Sequence, residues 1–378
     1  MKKRVLSPLC LAVLGAGLAG AEATHAAEVS IYGLIDMGLE VYDNGETTAV
    51  RQSSGLREGS RFGIQGSEPL GSGLGEVFFR LESTVFADTG EMQVDNRLFD
   101  REAVLGLRGA YGSISFGRQY TPYFLVMAMT DPAGMGMSSA GGYYGCPGWE
   151  GSINGFGLDE TTRFSNALVY ETPRLSGLKA SLFAALGEEK ASDYGGSSDA
   201  VTRGNVYSVG IDYSRGALSV LGSWLHINTR ASGFEHWDNY FALGVAYDFD
   251  VTKPSLLVVH REGDDTAAGR SLGTRPAGSP DLTMVQGALA TPVAGGTLIT
   301  TVASLTNHSA DDGDAWSWGI RYDYPLSRST TCYTGVTGII NGEDSQYNIG
   351  GGGSSSPGME VAFGDDPNVL YAGIAVKF

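Results

Sequence analysis

The sequence predicts an all-β fold, a 16-stranded antiparallel transmembrane β-barrel, and three observations predict it. Apolar residues alternate with polar or small ones over eight or more positions in several segments, the period of strands whose two faces see different surroundings. Glycine occurs 56 times in 378 residues, beside 18 tyrosines and 15 phenylalanines. Glycine and aromatic residues are mediocre helix formers and suit short, turn-punctuated strands. Short turns and long polar links also alternate along the chain. After the N-terminal leader no segment approaches the ~20 apolar residues of a membrane-spanning helix, so strands must do any crossing.

The leader comes first in chain order. Met1–Arg4 is basic, Val5–Ala19 is mostly apolar, and Thr24-His25-Ala26-Ala27 offers small residues at a cleavage point. This is a secretory signal peptide, cut after Ala26 or after Ala27. It leaves residues 1–26 as leader and 27–378 as a single barrel domain. Its Gly15-Ala-Gly17-Leu-Ala-Gly20 run has no strand before it and is no dinucleotide site. Losing the leader's three bases and one acid takes the net charge from -17 to about -19. So acidic a chain excludes nucleic acid as a partner, because phosphate selects basic faces.

The strands follow in order. Val77, Phe79 and Leu81 alternate with Phe78, Arg80 and Glu82. Leu178, Ala180, Leu182, Ala184 and Leu186 form an apolar row, as do Tyr207, Val209, Ile211 and Tyr213. Phe241, Leu243, Val245, Tyr247 and Phe249 alternate with small residues. Trp316, Trp318, Ile320, Tyr322 and Tyr324 face away from Ala315, Ser317, Gly319, Arg321 and Asp323. The last row is Leu370, Ala372, Ile374, Val376 and Phe378. Segments near 254–261 and 297–305 alternate poorly and are assigned as strands by spacing.

Short turns fall at 68–73, 108–113, 171–177, 214–217, 248–254, 291–296 and 323–329. Long polar links fall around 43–58, 87–97, 120–160, 188–204, 230–237, 263–280, 307–314 and 340–367. Seven and eight connections imply sixteen strands, at about 22 residues for each strand and link, which fits strands of ~10 residues. A soluble β-sandwich also alternates. It does not require long loops at one end only, nor aromatics gathered at strand ends (Tyr170, Tyr213, Phe249, Tyr322, Tyr324); a bilayer requires closure and favours both.

Chemistry is sparsely represented. Cys10 leaves with the leader, and Cys146 and Cys332 are too few for a disulfide framework. The histidines outside the leader, His226, His236, His260 and His308, are too scattered for a metal centre. No histidine outside the leader lies in a recognisable triad pattern, so neither an enzyme nor a cofactor is expected.

Four local matches carry a family resemblance: Glu28-Val-Ser-Ile-Tyr-Gly-Leu-Ile-Asp36, Ser60-Arg61-Phe-Gly-Ile-Gln-Gly-Ser-Glu68, Arg101 to Gly112 with Gly117-Arg118-Gln-Tyr120, and Arg163 to Pro173. With them the whole mature chain resembles the Gram-negative general diffusion porins, in their beta-proteobacterial, neisserial-like branch. The resemblance implies a homotrimeric outer-membrane channel for ions and small polar solutes. It implies short periplasmic turns, long extracellular loops, and a loop 3 (about 120–160) folded into the lumen opposite a ladder of arginines. The matching positions are Arg61, Arg101 and Arg163, with Asp131 on loop 3. A second loop 3 carboxylate is replaced by Met135, for which Glu150, Asp159 or Glu160 are the available substitutes. Terminal Phe378 matches the family's barrel-insertion signal, which implies the barrel-assembly machinery as a partner of the C-terminal strand. Lipopolysaccharide and outer-membrane lipids are the implied surroundings.

The residues add their own support. Arg61 and Arg163 share a parity with Gly63, Gln65, Ser165 and Ala167. Arg80 and Glu82 also read as inward, pore-lining positions. The parity of Arg101 stays open. Eighteen arginines against four lysines after the leader suit a wall whose charge must be permanent. Three arginines against Asp131 give an eyelet of roughly +2 and a weak anion preference. A substrate-specific channel of the same fold is the main alternative, and an enzymatic or adhesive barrel a lesser one.

Overall fold

The computed structural model describes residues 28–94, 96–139, 161–187, 201–231, 234–263, 281–308, 313–350, 353–356 and 358–378. The strands are β1 (Glu28–Asp43), β2 (Thr48–Ser54), β3 (Arg61–Leu70), β4 (Gly75–Thr84), β5 (Glu102–Gly109), β6 (Gly112–Tyr120), β7 (Arg163–Glu171), β8 (Leu178–Ala185) and β9 (Val201–Arg215). They continue as β10 (Leu218–Ala231), β11 (Phe234–Tyr247), β12 (Lys253–Gly263), β13 (Leu282–Val293), β14 (Gly296–Asn307), β15 (Ala315–Pro325), β16 (Thr330–Asn341) and β17 (Asn368–Lys377). Among the described residues one α-helix, α1 (Pro122–Thr130), follows β6.

All strands belong to one sheet of antiparallel pairs. It closes on itself where β17 meets β1, with Leu34 opposite Lys377 and Asp43 opposite Asn368. Gly33 and Phe378 extend that seam by exchanging both backbone hydrogen bonds, at 2.9 and 3.1 Å. Closure leaves no unpaired edge among the described strands, which a bilayer demands. The upper half of β1 pairs with β2 and its lower half with β3. These two segments are thus one barrel strand, interrupted at residues 55–60. Seventeen segments make sixteen barrel strands, as the spacing predicts.

The lipid-facing positions include residues of the rows read from the sequence. Ile31, Leu39, Leu105, Leu182, Ile211, Leu243, Ile320 and Leu370 are exposed on the outside. Tyrosines close the short-turn end: the Tyr170 hydroxyl donates to Tyr111 O (2.7 Å) and that of Tyr322 to Val293 O (3.0 Å). Each ring thus lies in the interface while its hydroxyl caps a turn.

Two links differ from expectation. The long loop expected at 43–58 is a tight turn at residues 44–47 leading into β2, followed by the 55–60 excursion. Asn44 Oδ1 accepts from the Glu46 and Thr47 amides (3.1 and 2.8 Å), a side-chain turn that polarity alone reads as a loop. The loop expected at 230–237 shrinks as β10 and β11 extend to Ala231 and Phe234. Strands that stand proud of the bilayer carry polar residues on both faces, so the polar run looks like a loop.

The weakly alternating segments are strands nonetheless. Leu257 and Val259 of β12 point inward and are buried in a cluster with Met127 of α1. An inner wall covered by a helix is apolar on both faces, which erases the period of two. The segment expected to be the leader, Cys146, Glu150, Asp159 and Glu160 lie outside the described residues. Cys332 is a half-buried free thiol in β16.

Candidate pore constriction

Loop 3 starts with a well-formed helix. Thr121 caps α1 by accepting from the Phe124 amide (3.1 Å), and Pro122 occupies the first turn. Tyr123, Val126, Met127 and Thr130 are the buried face, packed on β8–β12, with Tyr123 tilted against Tyr240 at 5.6 Å. The wall is cut back to receive the loop. A Cβ on Gly244 would overlap the Thr130 side chain, and one on Gly319 would press on Ser138.

Asp131 ends the helix. Its carboxylate accepts from the amides of Ala133 and Met135, both at 3.0 Å, and from the Gln286 side chain at 3.0 Å. The chain then crosses to the far wall. Arg321 donates to Ala133 O (2.8 Å), Thr301 to Ser138 O (2.6 Å), and the hydroxyls of Ser138 and Tyr371 meet at 2.5 Å. Segment 121–139 therefore spans the lumen from β6 to β17, and the open path runs between it and the β3–β7 wall.

The interruption in the second barrel strand supplies the other lip. Asp36, fully buried, accepts from the Arg57 and Glu58 amides (2.8 and 2.9 Å) and from the Tyr333 hydroxyl (2.5 Å). The hydroxyls of Ser54 and Ser60 meet at 2.7 Å beneath it. The excursion is pinned inward at both ends, and Met137 N donates to Leu56 O (3.0 Å) to join it to loop 3.

A cavity of about 280 Å³ lies between these parts, lined by Glu58, Arg61, Arg101, Arg163, Gln93, Phe124, Ala128, Met135 and Gly353 among others. The three arginines expected from the sequence converge here. Arg61 pairs with Glu58 at 2.5 Å and approaches Glu82 at 3.9 Å, while Arg101 pairs with Glu82 at 2.6 Å. The Tyr32 hydroxyl completes the cluster on Glu82 at 2.8 Å. Arg163 lies over the Tyr120 ring at 4.7 Å, and Tyr120 stacks on Phe124 at 5.1 Å. Arg80 faces the lumen below this level and pairs with Glu102 at 3.0 Å.

Three details depart from the sequence reading. The β6–β7 register shifts between Gly117 and Gln119, and Asn166 takes φ 53°. Counting by twos from Ala167 therefore does not assign Arg163, which reaches the cavity from the strand's first position. Arg101 precedes β5 and turns inward onto Glu82. Asp131, 4% exposed, is not among the residues lining the cavity; its oxygens are engaged by amides on the other side of loop 3. The lining residues missed include Glu58, Gln93, Phe124, Ala128, Thr162 and Gly353. Glu58 has no signal beyond its place three residues before Arg61, and the rest are set by tertiary folding. Gly353 belongs to the link after β16, whose described residues bond to Ser54 of β2 and Tyr42 of β1.

The comparisons with known proteins agree with this architecture. A sequence model described as Gram-negative porin matches residues 9–344. The chain belongs to that family. An outer membrane porin of Bordetella pertussis is 31% identical over 281 residues, 68% of each chain. Outer membrane porin protein 32 of Delftia acidovorans is 26% identical over 382 residues and the full length of both. Among solved structures, an anion-selective porin from Comamonas acidovorans covers 93% of this chain and 100% of its own, with a TM-score of 0.75 at 22% identity. OmpT of Vibrio cholerae, in its trimer form, gives 0.67 at 16% identity, covering 94% of this chain. The protein is an integral β-barrel of the outer membrane and a porin, a channel rather than an enzyme.

Proposed function

We propose that this porin passes ions and small hydrophilic solutes passively, with weak anion selectivity set at the Arg61–Arg101–Arg163 wall. The carrying observation is the convergence of those arginines on one cavity. Glu58 and Glu82 offset two of the three charges. Among the described residues the wall is therefore about +1, against the +2 reached when Asp131 alone is counted. The Comamonas porin, described as anion-selective, supports the same sign. The acidic surplus of the whole chain acts from farther away. Screening over ~8 Å at physiological salt damps loop charges, while an ion in the eyelet touches the arginines.

The test is the zero-current potential of the purified channel in a KCl gradient. A unit charge at about 4 Å in water is worth about 1 kcal/mol, or roughly fivefold in local ion ratio. Arg61→Gln and Arg163→Gln are each expected to move the permeability ratio toward cations by up to that factor. A cation-selective wild type whose potential ignores both replacements sinks the reading.

The proposal extends to processing and assembly. Residues 1–26 act as leader and 27–378 as the barrel. Phe378 on the closing strand serves as the signal read by the barrel-assembly machinery. Lipopolysaccharide and outer-membrane lipids surround a homotrimer joined through the outward faces of β1–β5. Ile31, Leu39, Leu105 and Leu107 are exposed on those faces. Crosslinking in mild detergent should give a ladder ending at three subunits; a single monomer band rejects the trimer.

A further inference from the structure

We infer that the constriction selects, among anions, those with an apolar body: monocarboxylates carrying an aromatic or branched chain. The inference rests on the anion-selective reading above and adds a substrate class to the same site.

Loop 3 is the unusual half of this eyelet. From Thr121 to Ser139 the only charged residue is Asp131, and its carboxylate is spent on Ala133, Met135 and Gln286. Among the described residues of loop 3, those that line the cavity opposite the arginines are Phe124, Ala128, Gly134 and Met135. A guanidinium wall thus faces an apolar wall across one cavity. Inorganic anions use only the first, because their hydration shells gain nothing from methyl and phenyl groups. A carboxylate with an apolar body uses both. The charge meets Arg61, Arg101 or Arg163, while the body covers Phe124 and Ala128, one helical turn apart.

The stripe continues past the eyelet. Leu125 and Met129, 37% and 57% exposed, lie on the next face of α1 beside Lys179, which pairs with Glu171 at 2.6 Å. Large apolar side chains left open inside a water-filled barrel forgo burial that the same helix secures on its other face. On this reading the permeating solute covers them in passing. Tyr120, stacked between Phe124 and Arg163, offers a ring edge where the two walls join.

The experiment compares potassium benzoate with potassium acetate in planar bilayers holding the whole protein, reading how far each lowers the chloride current. Covering about 40 Å² of ring face corresponds to a roughly fivefold preference. Benzoate should therefore reduce the current at about one-fifth of the acetate concentration. In Phe124→Gln and in Ala128→Asp that ratio should fall toward one. Because a ratio is read in each channel, general damage to folding or conductance cancels. Equal block by both salts in an anion-selective wild type overturns this inference and leaves the selectivity reading standing. A benzoate preference that survives both replacements also overturns it. Loss of anion selectivity itself, seen separately in KCl, is what rejects the underlying reading.

Discussion

Replacing Arg321 with methionine is expected to release loop 3 from the far wall, giving a larger and less steady single-channel conductance. Arg321 is only 2% exposed. Its guanidinium forks onto Asp323, with Nε–Oδ1 at 2.8 Å and Nη2–Oδ2 at 3.1 Å, and its remaining arm reaches Ala133 O at 2.8 Å. Arg57 approaches the same Asp323 at 3.0 Å. One carboxylate therefore ties the 55–60 excursion and, through Arg321, the loop 3 crossing into a single body. Methionine fills part of the space but supplies no donor, so Ala133 O loses its partner and Asp323 keeps half its compensation. Removing one partner of a buried ion pair costs about 3–5 kcal/mol.

The barrel ladder does not depend on that pair, so the variant should still insert. What changes is the temperature at which the folded band converts on gels, which should drop, and the current noise, which should rise. Adding Asp323→Asn to Arg321→Met removes the uncompensated charge and should recover part of the thermal loss without restoring the loop anchor. Wild-type conductance and noise in Arg321→Met would mean that the crossing is held elsewhere, with Ser138–Tyr371 the next place to look.

How much of this was legible depends on which surroundings a residue answers to. Lipid imposes one demand on every outward position, so rows such as Leu178–Leu186 and Trp316–Tyr324 could be read by counting in twos. The interior imposes no single demand. Where α1 covers the wall, as at Leu257 and Val259, the inward row is as apolar as the outward one. Where a bulge intervenes, as around Asn166, the count slips. The family resemblance places Arg163 at the site; the parity offered in its support does not hold there, and the residue reaches the cavity because its strand begins at the rim. Asp131 illustrates a second limit. Its identity and position on loop 3 were readable, but the partners of its oxygens, the Ala133 and Met135 amides and Gln286, come from a turn and a distant strand. Asp36 was part of a readable first-strand motif, yet its task, accepting amides from an excursion twenty residues on, is a tertiary fact.

Cutting the link between β16 and β17 should have the second large effect. Polarity reads it as a long link, as the fold has it; what polarity does not show is that its described residues form a lip of the pore. Ser354 and Ser355 bond to Ser54 O at 3.0 and 2.9 Å, and Ser54 N returns a bond to the Ser355 hydroxyl at 2.8 Å. Arg51, held by Glu40 at 3.1 Å, donates to Gly358 O at 3.1 Å, and the Tyr42 hydroxyl accepts from Ile349 N at 2.9 Å. Tyr347, Ile349 and Val361 are buried beneath, which at about 1.5–3 kcal/mol for each fully buried side chain makes a packed lid. Gly353, at φ 81°, brings this lid to the cavity beside Arg101. Replacing residues 346–362 with a short glycine-serine link should therefore widen the mouth, raise single-channel conductance and leave the KCl selectivity with the arginines. A milder variant, Arg51→Gln, keeps the segment but removes its clamp and should raise current noise with little change in mean conductance. Unchanged conductance after the excision would show that current does not pass under this lip, and the path along Arg101 and Gly353 would have to be abandoned.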